Sequence, residues 1–112
     1  MKNYQMESFD QIEPIRCPCG QAKRAFSVPG SPASFHIVEI AADSLAHYHK
    51  LMTEIYFILE GGGSIELDGE MLPVKPKDVI MIQPGCRHRA VGKMKIINVV
   101  IPAFDPSDEF KD

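Results

Sequence analysis

Nowhere in the 112 residues does an apolar run approach the length of about 20 that a membrane-crossing helix needs. The opening stretch MKNYQMESFDQIEP places no hydrophobic segment behind its single Lys2, so no secretory signal is expected. Cysteine is scarce and odd in number, three in all, which excludes a disulfide framework. Free thiols suit a reducing compartment, and a cytoplasmic location is the expectation. An excess of basic charge is also missing. The formal net charge is −3, which argues against a nucleic-acid partner, since such a partner demands a net basic surface. Low-complexity stretches, internal repeats and any sustained helical period are absent as well.

What is present is an ordinary globular mixture, with 45% hydrophobic and 24% charged residues, enough for one domain around one apolar core. Nine prolines and eight glycines cut the chain at short intervals. Between them lie short runs rich in Ile, Val, Phe and Tyr, the pattern of an all-β sandwich or barrel. Strands are expected at Ser34–Ala41, Leu45–His49, Glu54–Glu60, Gly63–Leu67, Glu70–Val74, Asp78–Ile82, Cys86–Gly92 and Lys95–Ile101. Asp68-Gly69 suits a tight hairpin, because both residues tolerate positive φ, and Pro84-Gly85 marks a second turn. Pro73 and Pro76 cannot donate to a ladder, so they should lie on an edge or end a strand. Residues 1–33 should form an irregular segment with one or two edge strands, residues 34–101 the barrel, and residues 102–112 an acidic tail or short helical turn leaving it.

Three of the four histidines fall into a spaced pattern. His47 and His49 are two apart, so on a strand both imidazoles face the same side and can grip one ion. After a short bend, Glu54 can present its carboxylate to the same interior. His88, just beyond Pro84-Gly85, would bring a third imidazole from another strand.

These residues resemble the motifs of the cupins. The first motif reads His47-x-His49 with Glu54 and Gly61; the second runs from Asp78 through Pro84-Gly85 to His88. His47-Tyr48-His49-Lys50, Met52-Thr53-Glu54-Ile55-Tyr56 and the segment from Ile101 to Glu109 are similar to small single-domain cupins of the conserved-barrel type. The resemblance implies a double-stranded β-helix, or jelly-roll barrel, of two antiparallel sheets. It also implies that His47, His49, Glu54 and His88 are metal ligands. Two departures concern turns: Lys77 stands where a Gly usually precedes the second motif's Asp, and Ala42-Asp43-Ser44 replaces a clear Gly ahead of the histidine pair.

Three imidazoles and a carboxylate suit a divalent Zn, Fe, Mn, Ni or Cu, and four protein ligands leave positions open for a small polar ligand. The function expected is therefore a metal-binding cupin, as a dioxygenase or a sugar or keto-acid isomerase. The alternatives are a non-catalytic small-ligand binder or structural module, and a barrel that only docks partners. Tyr56 shares the face of Glu54 and is a candidate pocket residue as much as a core one. His36 is a candidate acid or base, although a lone histidine on a strand is more often structural. Lys50, Arg87 and Arg89 flank the ligands and could favour an anion, but alternation turns Arg87 and Arg89 outward, toward solvent. Cys86 reads as a small buried hydrophobe. Cys17 and Cys19 are too close for an easy mutual disulfide and lack a second pair for zinc. Gly61-Gly62-Gly63 lacks the features of a phosphate loop and reads as hairpin flexibility. Sheet edges and the apolar Phe9, Ile12 and Ile15 favour a homodimer, which the resemblance also implies.

Overall fold

The computed structural model describes residues 3–17 and 20–111; Cys19 and its pairing lie outside the described residues. Nine strands follow in order: β1 (Ile15–Cys17), β2 (Gly20–Ala25), β3 (Ser34–Ile40), β4 (Thr53–Gly61), β5 (Gly63–Leu67), β6 (Glu70–Val74), β7 (Val79–Ile82), β8 (His88–Val91) and β9 (Met94–Ile101). They form two antiparallel sheets, one ordered β1-β2-β3-β9-β4-β7 and the other β6-β5-β8. The alternation of β3, β4 and β9 explains their place at the centre. Every second residue is apolar or a site residue and is buried, as in Met94, Ile96, Asn98 and Val100. Ala22, Val38, Ile40, Ile58, Ile65, Ile82 and Ile96 make the core between the sheets.

The hairpin at Asp68-Gly69 joins β5 to β6 with both residues at positive φ, 49° and 85°. Pro73 lies on β6, an edge strand of the smaller sheet, where its missing N–H costs no ladder bond. At Pro84-Gly85, Cys86 N–H closes the turn on the Gln83 carbonyl at 3.1 Å, with Gly85 at φ 90°.

Three expectations need correction. Leu45–His49 is not a strand. His47 pairs with His88 and Tyr48 with Phe110 as isolated bridges, so consecutive residues bond to different segments and no ladder builds up. Just before this segment, the Ser44 hydroxyl accepts from Ala90 N–H at 2.9 Å, taking the place of a backbone carbonyl. The Gly61-Gly62-Gly63 run is a close crossing rather than a flexible hairpin. A Cβ on Gly63 would sit 2.2 Å from the Val91 carbonyl oxygen. Lys77 keeps the turn that glycine would make, at φ 79°. The acidic segment after β9 does not leave the barrel: it makes a helical turn at Pro106–Asp108 and folds back against residues 48–52.

Lys77 therefore holds a left-handed conformation that disfavours a side chain. Lys77→Gly is expected to stabilise the fold by about 0.5–1 kcal/mol, the relief of strain less the added freedom of the unfolded chain. Thermal unfolding checks this, and a lower Tm would contradict it.

Among the described residues, no helix is long and apolar enough to cross a membrane. Phe9 packs on Phe35 of the same chain, with ring centroids 6.0 Å apart, so one of the apolar N-terminal residues is already used within the fold.

Candidate metal centre and its cavity

The structure brings His47, His49, Glu54 and His88 together, with one donor atom from each lying within 4.8 Å of all the others. The ring centroids of His47 and His88 are 4.4 Å apart, and those of His47 and His49 5.1 Å. Glu54, His49 and His88 are buried, while His47 is half-buried toward the opening. Glu54 projects inward from β4 and His88 from the start of β8, so the two sheets face each other across the cluster.

Each imidazole is oriented by a backbone carbonyl. His47 Nδ1 lies 3.1 Å from the Leu45 oxygen, His88 Nδ1 2.9 Å from the Cys86 oxygen and His49 Nδ1 2.6 Å from the Asp108 oxygen. A carbonyl only accepts, so each Nδ1 carries the proton and each Nε2 is left to face the centre. His49 Nε2 and His88 Nε2 lie 3.1 and 3.0 Å from Glu54 Oε1. The His88 nitrogen nonetheless makes no properly directed hydrogen bond. It is a buried nitrogen aimed at a shared point rather than at the carboxylate, as a metal ligand is. The donor set therefore fits a divalent transition ion.

Charge in the cluster is arranged for a cation. Burial works against the Glu54 carboxylate, yet the His49 hydrogen bond and the adjacent His88 ring hold it well below the usual carboxylate range. Asn98 Nδ2 donates to its other oxygen, Oε2, at 2.7 Å. Burial also lowers His49, but the Glu54 carboxylate outweighs it and raises the ring above its ordinary value. His47 is lowered, first by burial and then by the neighbouring His88.

A cavity of about 230 Å³ opens beside the cluster, with His47, Glu54, Tyr56, His36, Asn98 and Arg24 in its wall. Tyr56 is buried and meets His88 edge-on at 6.2 Å. His36 is buried too, its Nε2 2.8 Å from Ser34 Oγ and its ring edge-on to Phe104. Sequence reasoning missed Arg24, Asn98, Glu109 and Asp108. Asn98 had a signal, as a polar residue on the inward face of the apolar run Ile96 to Val100. Glu109 Oε1 reaches within 3.8 Å of His47 Nε2 from the returning segment.

The cations flanking the ligands in sequence are occupied elsewhere. Lys50 lies over Phe110 and Arg87 over Tyr48, at 4.2 and 4.4 Å from the ring centroids, and Arg89, in the cavity wall, pairs with Glu66. Cys86 packs partly against the core, and burial pushes its thiol up, with Asp68 adding to the shift. Cys86 is a free thiol.

His36 supplies a pH prediction. Burial, with the Arg24 charge, lowers it to about 4. Between pH 6.5 and 4 the unfolded chain takes up a proton that the folded chain refuses, so stability falls as pH drops through that window. The loss attributable to His36 is roughly 3 kcal/mol. His36→Gln should remove it, so that denaturant unfolding of chelator-treated protein shows the variant gaining that much on the parent from pH 7 to 4. An unchanged difference contradicts the assignment.

Comparison with known proteins agrees with this geometry. Residues 34–100 match the family described as "Cupin domain". An uncharacterized protein of Methanocaldococcus jannaschii is 37% identical over 76 residues, 64% of this chain and 61% of that protein. L-ectoine synthase of Halomonas elongata is 30% identical over 88 residues, 74% of this chain and 64% of the synthase. The match thus spans less than two thirds of either curated relative. A solved protein structure from Planctomyces limnophilus superposes with a TM-score of 0.89 at 43% identity, covering 96% of each chain.

Proposed function

The chain belongs to the cupin family, and from that premise we propose that it holds one divalent transition-metal ion and presents it to a small polar molecule in the adjoining cavity. His47, His49 and His88 would bind through Nε2, and Glu54 through its carboxylate. The observation that carries this reading is the common orientation of the three rings, each with Nδ1 held by a backbone carbonyl and Nε2 turned to one centre. When bound, such an ion supplies Lewis acidity toward a ligand oxygen.

The chain's own residues account for the rest. Asn98 fixes the Glu54 carboxylate, the Asp108 carbonyl fixes His49, and Tyr56 and His36 stand in the cavity wall as candidates for contact with the reacting molecule. The walls are partly apolar, with Val38, Ile40 and Ile96, which keeps the polar groups in a confined, poorly hydrated space.

Elemental analysis of protein purified without chelator should find one transition-metal ion per chain. Stripping it with chelator and adding back one equivalent should lower and then restore Tm. At an ion concentration of about 100 Kd the stabilisation is roughly 2.7 kcal/mol. Metal-free protein whose Tm ignores Zn, Mn, Fe, Ni and Cu overturns the reading.

A further inference from the structure

One interior row of the barrel is polar from strand to strand. Arg24 on β2 is paired in register with His36 on β3, His36 with Asn98 on β9, and Asn98 with Tyr56 on β4. On one side lies the row that contains Glu54. On the other lies a wholly apolar row, Ala22, Val38, Ile96 and Ile58. All four polar side chains line the cavity.

Two atoms of this row are buried without a hydrogen-bond partner: Arg24 Nε, a donor, and Asn98 Oδ1, an acceptor. Buried polar atoms left unpaired are costly, and native proteins keep few of them. Both are held in place. The Arg24 guanidinium lies 4.2 Å from the centroid of the Phe104 ring. Asn98 is only 6% exposed, and its amide is oriented by donation to Glu54, which leaves the carbonyl oxygen toward the cavity wall. Among the described residues no carboxylate pairs with Arg24, whose charge meets only the face of the Phe104 ring.

We propose that this row recognises a small hydroxy- or amino-carboxylate, with the carboxylate accepting from Arg24 and the hydroxyl or amine donating to Asn98 Oδ1. The inference rests on the metal-centred reading above, and it names the class of molecule that the same cavity takes. A planar guanidinium fork matches a carboxylate. The cavity, about 230 Å³, has room for a compact acid. The apolar row beyond offers a surface for the carbon chain.

The test is calorimetric titration of zinc-loaded protein with straight-chain ω-hydroxy acids from glycolate to hydroxyhexanoate, and with the matching amino acids. At least one should bind. Its carboxamide and its deoxy analogue should each bind at least about tenfold more weakly. Arg24→Gln should weaken the acid by a similar factor, bring acid and amide to equal affinity, and leave zinc stoichiometry and affinity unchanged; Arg24→Lys should recover part of the loss. Equal binding of acid and amide by the parent protein overturns the proposal. So does preference for the corresponding phosphate monoester, or silence of the whole series at about 10 mM, a concentration that would reveal even millimolar binding. If the protein takes up none of Zn, Mn, Fe, Ni and Cu, the metal reading fails by itself, and the same titration of metal-free protein, with the same analogues, still decides the row.

Discussion

His88→Ala protein is expected to emerge from purification with far less than one metal ion per chain and to bind added metal at least about 100-fold more weakly than the parent. The bound rests on a comparison: losing a group that merely orients a metal-binding histidine costs 10–100-fold, and His88 is placed as a direct ligand. Its Nε2 is buried, lies 3.0 Å from Glu54 Oε1 and makes no directed hydrogen bond, so this nitrogen, unlike Nδ1, lacks the partner that a metal-free role would require. The backbone bridge between His47 and His88 survives truncation of the side chain. The barrel should therefore fold, with a modest loss from the space left behind. Competition with a chelator measures the affinity. Arg89→Ala is the matched control one residue away: its side chain pairs with Glu66 and is not among the clustered donors, and metal affinity should not move. A His88→Ala chain that competes for metal as well as the parent would remove the cluster from consideration as a metal centre.

The second large effect is expected at Asp108, which lies outside both histidine motifs. Its carboxylate accepts three backbone N–H bonds, from Lys50 at 2.9 Å, Leu51 at 3.0 Å and Met52 at 2.9 Å. Its own carbonyl takes the Nδ1 proton of His49 at 2.6 Å. Burial works against the carboxylate, but the three N–H groups hold its pKa below the usual range. One buried residue thus pins the bend between the first ligand pair and Glu54 and also orients a ligand ring. Asp108→Ala should cost roughly 2–4 kcal/mol, less than three full charged hydrogen bonds because the exposed Lys50 and Leu51 can recover water. For a chain of this size that is a Tm drop of roughly 8–17 °C. Metal affinity should fall as well, by up to about 10-fold, because the carbonyl that orients His49 belongs to the backbone and is displaced only as far as the returning segment loosens. Asp108→Asn should be intermediate, since an amide oxygen can serve only one of the two positions that the carboxylate fills. Thermal unfolding with and without metal separates the two losses, and an Asp108→Ala chain with parental Tm and metal affinity contradicts the assignment.

The contrast between these residues shows what the sequence made legible. Strands β5 and β6 were readable to the residue, because a period of two and an Asp-Gly turn leave one register available. The His-x-His pair, Glu54 and His88 were readable because their residue types are rare and their spacing tight. The segment Leu45–His49 was misread because alternation reports which face a residue takes and says nothing of whether neighbouring bonds go to one partner strand. Arg24 lay in the part of the chain with the weakest periodicity, between single small residues. Asp108 was read as part of an acidic tail, since a carboxylate that serves a loop 56 to 58 positions away leaves no local trace. Gly61-Gly62-Gly63 shows the same limit: composition suggested freedom, whereas the glycines are there because two backbones pass too close for a Cβ.

The bond from His49 to the Asp108 carbonyl spans 59 positions. The ring is made before the residue that aims it, while β9, the last strand of its sheet, ends only seven residues ahead of Asp108. A chain cut short before Asp108 would keep the residues of every described strand and leave His49 Nδ1 without its acceptor. The aim of the ring thus depends on a segment that belongs to no strand.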